Sequence, residues 1–388
     1  MPEAFKHRFN VVVITQMAGH ITSASQHFDP NDVKNYFDSE GFIKTANLQL
    51  ESLELKARSN QIKDALLKYM PRDFIASARI LTLALAPACN NEDMQFDAHD
   101  QGLCGWMMMP ITDYVAESSL KHGSLYLHDA FALMHACTQR FSAEFSIRPF
   151  LRDHTNTTLQ VLTKWAQDDN LHVRRLVSEG CRPYLPWGLR LHVFANEPSL
   201  ILPLLEALKD DPSEYVRRSV ANNLNDIAKD HPDTVAGIAA KWWDEKNKQR
   251  TKLIKHACRT LLKNGHPNVL ALFGFAPAKQ LDIVLTLQHK RVKMGEVQEF
   301  ALSLINKSGM PQTLLIDYAM FHQKANGKMT PKVFKWTSIV IPANAQQTIT
   351  KRHSFKAVTT RRYYQGQHKI EISVNGKVFA KEGFELFA

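Results

Sequence analysis

The chain has 388 residues, enough for two or three domains, and its 44% hydrophobic and 22% charged content is ordinary for a globular protein. It has no apolar run of about 18 residues and no apolar signal-peptide core at its start, so we expect no membrane-spanning helix and no membrane partner. Five scattered cysteines without a Cys-x-x-Cys pair favour a reduced, cytoplasmic compartment over a disulfide framework or a structural zinc site.

The net charge of +10 is distributed unevenly along the chain. From residue 277 onward there are 17 lysines and arginines against 7 acidic residues, whereas the rest of the chain has 31 of each. A basic domain attached to a neutral one favours an anionic partner, with nucleic acid first and a membrane surface second. Charge alone is also compatible with a domain that is simply basic and soluble.

The first part of the chain has helical periodicity and capping signals. Predicted helices or helix starts are Asn31–Phe37, Leu48–Met70, Phe74–Ala86, Thr112–Lys121, Tyr126–Thr138 and Thr155–Ala166. This region contains no phosphate loop, no histidine pair at metal-ligand spacing and no nucleophile signature. We therefore expect neither a metal nor a cofactor.

Glu144 is a carboxylate in an apolar setting, with Phe141, Phe145 and Phe150 close by in the sequence. It stands four residues before Arg148, so an ion pair within one helix is the first interpretation. A carboxylate in such surroundings is about equally suited to bind a cationic ligand, and the sequence leaves both interpretations open.

The segment from Asn170 to Leu191 is repeated in the segment from Glu214 to Lys229. Each copy contains Val-Arg-Arg, and the two copies are 43 residues apart. A repeat of this length is typical of HEAT-like solenoids, in which paired helices recur about every 40–47 residues. We therefore predict an all-α, HEAT-like repeat domain over residues 1–276.

Polar side chains align between the two copies as well as apolar ones. The spacing puts three polar residues of each copy on one helix face: Arg175, Glu179 and Arg182 in the first, and Arg218, Asn222 and Asp226 in the second. A solvated face with ion pairs along the helix is the simplest interpretation. Its recurrence in register on neighbouring repeats favours a surface that binds a polyanion.

Pro183 and Pro186 end the helical pattern of the first copy and place Trp187 at a turn, next to Gly188. A buried core position is the default for a tryptophan. A tryptophan at a turn between polar repeat faces is also suited to stack against a nucleic-acid base.

Beyond residue 277 the apolar pattern changes from helical to alternating. Seven strands separated by turn signals are predicted: Leu281–Gln288, Glu296–Lys307, Gln312–His322, Lys332–Ile341, Gln346–Ser354, His368–Val374 and Val378–Leu386. This pattern predicts a small all-β, immunoglobulin-like sandwich over residues 277–388. The whole chain is thus expected to be multidomain, with a helical solenoid followed by a sandwich.

One segment of the predicted sandwich combines basic and aromatic residues. It contains Lys351, Arg352, Lys356, Arg361 and Arg362, followed by Tyr363 and Tyr364. We expect this basic patch at a loop edge, where it suits phosphates and sugars.

Three runs of the sequence resemble the AlkC branch of the AlkC/AlkD DNA glycosylases. They are Ala143–Phe150, Val173–Trp187 and Val216–Asp226, and the second is long and specific. The match covers the helical region, and the basic sandwich is similar to an appendage that some AlkC members carry. The resemblance implies a HEAT-like solenoid that wraps damaged duplex DNA and excises cationic N3-methylated bases, 3-methyladenine foremost and 3-methylcytosine in this branch.

The resemblance also implies a site. Glu144, Trp187 and Asp226 match the positions that line the lesion pocket in this branch. The neighbouring polar face matches Arg175, Glu179 and Arg182.

The chemistry of the lesion suggests roles for these residues. An N3-methylated base leaves as a neutral species without a general acid, while positive charge builds up on the sugar. We therefore predict that Asp226 stabilises this charge for attack by water, and that Glu144 and Trp187 hold the cationic base or sugar. The predicted DNA-binding set is Arg148, Arg175, Glu179, Arg182, Arg218, Asn222, Lys351, Arg352, Arg361 and Arg362.

A competing hypothesis is a non-catalytic repeat module that binds damaged DNA or a protein partner, because solenoids commonly act as adaptors. We favour the enzyme, expected to be a monomer that acts on double-stranded DNA containing alkylated bases, in the cytoplasm at the bacterial nucleoid.

Overall fold

The computed structural model describes residues 5–28, 37–92, 99–357 and 362–388. The predicted helix start at Asn31–Phe37 lies outside these ranges except for its last residue, and Arg361 also lies outside them. The chain forms two compact units, residues 1–230 with 244–257 and residues 231–243 with 258–388. The domain boundary after residue 276 stays a prediction from the sequence.

Sixteen α-helices lie within the described ranges. They are α1 (Val11–Ser25), α2 (Ser39–Ala46), α3 (Leu55–Tyr69), α4 (Phe74–Ala84), α5 (Met108–Leu120), α6 (Leu127–Thr138), α7 (Ile147–Asp153), α8 (Thr155–Trp165), α9 (Leu171–Gly180), α10 (His192–Asn196), α11 (Leu202–Leu208), α12 (Glu214–Ile227), α13 (Pro232–Trp242), α14 (Lys248–Ala257), α15 (Arg259–Lys263) and α16 (Pro267–Leu272). The first unit contains α1 to α12 and α14. No helix of the described residues is long and apolar enough to cross a membrane.

The repeat seen in the sequence corresponds to α9 and α12. Asn170 caps α9 by accepting hydrogen bonds from two backbone amides, and Ser213, 43 residues later, caps α12 in the same way. Each helix buries an apolar stripe, and α12 packs against both α9 and α14. The predicted helical-repeat region is therefore confirmed.

Small polar residues line the contact between α9 and α12. The hydroxyls of Ser178 and Ser219 are 2.7 Å apart, and the side-chain amide of Asn223 donates to the Ser178 carbonyl at 2.8 Å. These short side chains bring the two helices close together, which lets Arg182 contact both Glu179 of α9 and Asp226 of α12.

Eight strands lie in the part of the β region that the structure describes. They are β1 (Leu281–Leu287), β2 (Arg291–Lys293), β3 (Val297–Asn306), β4 (Gln312–Gln323), β5 (Met329–Ile341), β6 (Gln346–Ser354), β7 (Gly366–Val374) and β8 (Lys377–Phe387). All seven predicted strands are present. The sequence did not predict β2, because three residues with a single apolar member, Val292, have no alternating pattern to detect.

The strands form two sheets that share one core. The order is β1-β3-β6 in one sheet and β2-β8-β7-β4-β5 in the other, and every pairing is antiparallel except that of β2 with β8. Leu285 and Phe300 of the first sheet belong to the same buried cluster as Tyr318 and Ile370 of the second. A helical region followed by an all-β sandwich is the predicted fold class.

Candidate functional site

A cavity of about 410 Å³ opens in the helical unit and gathers residues from distant parts of the chain. Glu144, Arg175, Glu179, Arg182 and Trp187, five of the predicted site residues, line it. Its other walls are largely aromatic and include Trp106, Phe141, Phe145 and Tyr215. The cavity therefore combines apolar, flat surfaces with charged groups at one side.

The charged groups form a continuous chain of ion pairs. In order, they are Glu144, Arg175, Glu179, Arg182, Asp226 and Lys229. Anions and cations alternate, so each carboxylate has at least one cationic neighbour and the whole set is neutral. Such a network fixes the orientation of its members better than isolated pairs do.

Asp226 is almost completely buried, with 2% of its surface exposed. One carboxylate oxygen accepts a hydrogen bond from Arg182 Nε at 2.8 Å, and the other accepts from Lys229 Nζ at 2.8 Å. Asp226 lies beside the cavity behind Arg182 and is not among the residues that line it. Both carboxylate oxygens are therefore held in a fixed orientation.

Glu179 joins the two halves of the network. It accepts from Arg182 at 2.6 Å and from the Ser219 hydroxyl at 2.7 Å, and Arg175 lies 3.4 Å away. Burial by itself raises the pKa of this carboxyl, but Arg175 and Arg182 outweigh it and hold the pKa below its ordinary value. Glu179 therefore stays ionised at neutral pH and is a poor proton donor.

Glu144 pairs with Arg175 and not with Arg148, so the ion pair expected within one helix does not form. Ser142 supports this pair by donating to Glu144 at 3.1 Å and accepting from Arg175 at 3.0 Å. The Arg175 guanidinium also lies 5.1 Å from the centre of the Tyr215 ring. Glu144 is thus a carboxylate at the wall of an aromatic cavity.

Arg175, Glu179 and Arg182 bind carboxylates or cations of the same network, and their predicted DNA contacts stay a prediction. Each guanidinium is occupied by carboxylates, and Glu179 is buried between the two cations. Their geometry assigns them to holding Glu144 and Asp226 in place.

Arg148 was also predicted to contact DNA, and the structure corrects this. Its side chain is fully buried, and its guanidinium donates to the backbone carbonyls of Leu189 at 2.6 Å and Gly180 at 2.7 Å. Burial lowers the pKa of Arg148 to about 10, which still leaves it charged at neutral pH. A buried guanidinium bound to carbonyls cannot reach a phosphate.

Trp187 is not a core residue, because 62% of its surface is exposed. Its backbone has a φ of +66°, in the left-handed region that residues other than glycine rarely occupy. The indole stands at the mouth of the cavity, as the stacking interpretation requires.

The remaining residues of the second repeat do not share one environment. Arg218 is exposed, the side-chain oxygen of Asn222 accepts a hydrogen bond from His256 Nε2 at 2.9 Å, and Asp226 is buried. Eight residues along a helix advance the side-chain direction by roughly 80° beyond two full turns. The three residues therefore do not share one face, because successive side chains point from solvent at Arg218 toward the interior at Asp226.

The basic segment of the sandwich is divided between two places. Lys351 and Arg352 lie on β6, not on a loop, and Arg352 is 3.4 Å from Glu299. Arg362 and Tyr364 line a separate cavity of about 570 Å³ together with Lys324 and Lys332 of the β4–β5 hairpin. The two hairpin lysines were not predicted, because nothing local in the sequence connects them to Arg362.

Sequence reasoning also missed Ser142, Tyr215, Ser219 and Lys229. Lys229 had a detectable signal, since it follows Asp226 by three residues on the same helical turn. Tyr215 and Ser219 meet their partners only through the packing of α12 on α9. No cluster of three or more metal-ligating side chains occurs among the residues that the structure describes.

Comparisons with known proteins show what this chain is similar to. A family model described as "DNA alkylation repair enzyme" matches residues 141–261, and one described as "Uncharacterised protein YhaZ, C-terminal Ig-like domain" matches residues 283–388. The uncharacterized protein YhaZ of Bacillus subtilis (strain 168) is 36% identical over 383 residues, which cover 98% of this chain and 99% of that protein.

A solved structure matches the whole chain. The Pseudomonas fluorescens alkylpurine DNA glycosylase AlkC, bound to DNA containing an abasic site analog, superposes with a TM-score of 0.84 and 33% identity over 100% of both chains. The predicted fold class, including the immunoglobulin-like character of the sandwich, is thereby confirmed. The chain belongs to the AlkC branch of the AlkC/AlkD DNA glycosylases, a family of DNA alkylation repair enzymes.

Proposed function

We propose that this chain is a monofunctional DNA glycosylase that hydrolyses the N-glycosidic bond of cationic N3-methylated bases in duplex DNA. 3-Methyladenine is the foremost substrate and 3-methylcytosine the second. The observation that carries this proposal is the aromatic cavity with Glu144 at its wall and the oriented carboxylate of Asp226 behind it.

The cavity suits a flat cation. Aromatic faces attract a cation through the ring quadrupole, and each such contact contributes roughly 0.5–2 kcal/mol. Glu144 adds a carboxylate to these walls, and the exposed indole of Trp187 adds a stacking surface. A neutral base gains the stacking but not the charge interactions, so methylated cations bind preferentially.

The charges also suit a leaving base that needs no proton. Arg175 and Arg182 hold the pKa of Glu179 below its ordinary value, and Arg182 and Lys229 both donate to Asp226. Glu179 is therefore an anion and not an acid. An N3-methylated base departs as a neutral molecule, so a site whose carboxylates do not act as acids is sufficient for it but not for uracil or hypoxanthine.

Asp226 stabilises the positive charge that develops on the sugar. Its two oxygens are oriented before the reaction by Arg182 and Lys229, so little reorganisation accompanies bond cleavage. The neutral base leaves with the bonding electrons, a water molecule forms the new bond to the anomeric carbon, and the proton that this water loses passes to solvent. Lys229 Nζ donates to Asp226 at 2.8 Å, so we assign this lysine to orienting the carboxylate and not to a lyase step.

The test is base release by the purified full-length protein. Duplex DNA treated with a methylating agent and duplexes carrying a single uracil or hypoxanthine are incubated with excess enzyme, and the free bases are separated by chromatography. We expect release of 3-methyladenine and 3-methylcytosine and no release of neutral bases. Efficient uracil excision contradicts the proposal, and tight DNA binding without release of any base favours the non-catalytic module.

A further inference from the structure

The turn that carries Trp187 is held in a costly conformation. A left-handed backbone costs a residue other than glycine about 1–2 kcal/mol, and Trp187 adopts it with φ at +66°. Because 62% of the residue is exposed, burial of the indole does not offset this cost. Glycine or asparagine occupies this region more easily, so the conformation must be imposed by the surroundings of the turn.

Arg148 is the first of these surroundings. Its buried guanidinium donates to the carbonyls of Gly180 and Leu189, which lie on either side of Trp187 in the chain, and reaches the Pro183 carbonyl at 3.5 Å. One planar group with several donors in a fixed geometry thus fixes both ends of the turn. Among the described contacts of Arg148, the hydrogen bonds of the charged guanidinium go to backbone carbonyls and not to a carboxylate.

The chain between these ends packs directly on Arg148. A Cβ atom added at Gly188 would lie 3.1 Å from Arg148 Nε and 3.1 Å from a methyl group of Leu185. These distances are tighter than ordinary van der Waals contact, so the residue after Trp187 has no room for a side chain unless its neighbours shift.

Lys56 holds the turn from outside. This exposed lysine at the start of α3 donates from Nζ to the backbone carbonyl of Trp187 itself, and its ammonium lies 6.0 Å from the centre of the Phe145 ring. Its hydrogen bond goes to the residue of this turn whose backbone is left-handed, and its ammonium faces a wall of the same cavity.

We propose that Arg148 and Lys56 are positioning residues: they hold the turn in the one conformation that presents the Trp187 indole at the mouth of the cavity. The kinetic part of this inference rests on the proposed glycosylase function. The conformational part does not, because it concerns the environment of a single tryptophan in the free protein.

The variants are Lys56→Met and Arg148→Lys, each in the full-length protein. Arg148→Lys keeps the buried positive charge but replaces the planar guanidinium with a single ammonium, which cannot donate hydrogen bonds to both ends of the turn. Lys56→Met changes an exposed side chain, so it leaves folding intact even if the Arg148 variant does not fold. Lys44→Met, at an exposed position on α2, is the matched control.

The first readout is the fluorine NMR spectrum of protein labelled with fluorotryptophan. The chain has six tryptophans, and the Trp187 signal is the one missing from Trp187→Phe. We expect Lys56→Met and Arg148→Lys to shift or broaden this signal and to leave the other five in place, with no change in Lys44→Met. An unchanged Trp187 signal in both variants overturns the proposal, whether or not the protein is a glycosylase.

The second readout is a double-mutant cycle on single-turnover release of 3-methyladenine. A displacement of the indole by about 1 Å is expected to lower the rate by up to about 100-fold. Positioning predicts that neither variant lowers the rate further once Trp187→Ala is present. An equal loss of rate in the wild-type and Trp187→Ala backgrounds means a general structural role and overturns the proposal. If the wild-type protein releases no base, the fluorine spectrum alone decides the proposal.

Discussion

Arg182 and Asp226 form a buried ion pair across two neighbouring repeats, with 2.8 Å between Nε and Oδ2. Arg182 follows the end of α9, and Asp226 lies in the last turn of α12. The same guanidinium reaches Glu179 at 2.6 Å, so one arginine connects the carboxylates of both repeats. The position of Asp226 therefore depends on how the repeats stack, and not only on its own helix.

Arg182→Met should be strongly destabilising. Removing one partner of a buried pair leaves the other charge without compensation, which costs about 3–5 kcal/mol. Here Asp226, only 2% exposed, and Glu179 lose their shared partner but each keeps one cation, Lys229 and Arg175 respectively, so we expect a loss at the lower end of this range. The measurement is the free energy of unfolding from urea denaturation of the full-length protein.

Arg152→Met is the matched control for that variant. Arg152 pairs with Asp153 at 2.6 Å, but both side chains are largely exposed, so the expected loss is below about 1 kcal/mol. If the two variants lose the same stability, burial does not govern the Arg182 pair.

Trp187→Gly should separate stability from activity. Glycine relieves the left-handed strain, so we expect the free energy of unfolding to be unchanged or to rise by about 1 kcal/mol. Base release should fall, because the stacking surface is lost. Thermal unfolding and single-turnover kinetics on the same preparation test this, and a clear loss of stability would mean that the indole packs more than its 62% exposure indicates.

Asp317 predicts a pH dependence for the sandwich. Burial raises the pKa of this carboxyl from 3.8 to about 6, against the opposing effect of Lys335 and Lys263. A raised folded-state pKa stabilises the fold fully below pH 3.8, and this contribution is lost as the pH rises through about 6. The ionised carboxylate is therefore unfavourable at neutral pH.

Asp317→Asn, which mimics the protonated form, should then stabilise the protein at pH 7 by on the order of 3 kcal/mol. The gain should disappear near pH 3.8, where the native residue is itself largely protonated. Urea unfolding at the two pH values measures the difference, with the exposed Asp282→Asn as the control. A gain of equal size at both pH values would show that ionisation of Asp317 is not the cause.

The basic residues of the sandwich should contribute to the salt dependence of DNA binding. Each phosphate contact contributes about −0.9 to the slope of log K against log salt concentration. Replacing Lys351, Arg352 and Arg362 by alanine should flatten the slope by up to about 2.7. Lys381→Ala is the control: it removes one exposed charge from β8 and should change the slope less per residue. An unaltered slope in the triple variant would mean that these charges serve another purpose.

Features that depend on local sequence were predictable. The 43-residue spacing located α9 and α12, because capping residues and apolar stripes are encoded within each helix. The strands followed from alternation, and only the three-residue β2 was missed. Glu144 and Trp187 were singled out from unusual surroundings, and both line the cavity.

The partners of the site residues were not predictable in the same way. Arg148 and Glu144 have the spacing of a helical ion pair, yet each finds a different partner more than 30 residues away. Basic residues near a nucleic-acid site suggest phosphate contacts, but Arg175 and Arg182 instead hold carboxylates. Tertiary packing determines whether an arginine is buried or exposed, and the periodicity of the sequence does not predict that packing.

The most direct test of the account is single-turnover release of 3-methyladenine by Asp226→Asn, compared with wild type and with Asp230→Asn. Asp230 is an exposed carboxylate just beyond α12, and it accepts a hydrogen bond from the Tyr184 hydroxyl at 2.6 Å. We predict that Asp226→Asn lowers the rate by about 100-fold or more while DNA binding survives, and that Asp230→Asn does not. Release by Asp226→Asn at the wild-type rate would contradict the central role of this carboxylate and move the catalytic role to Glu144.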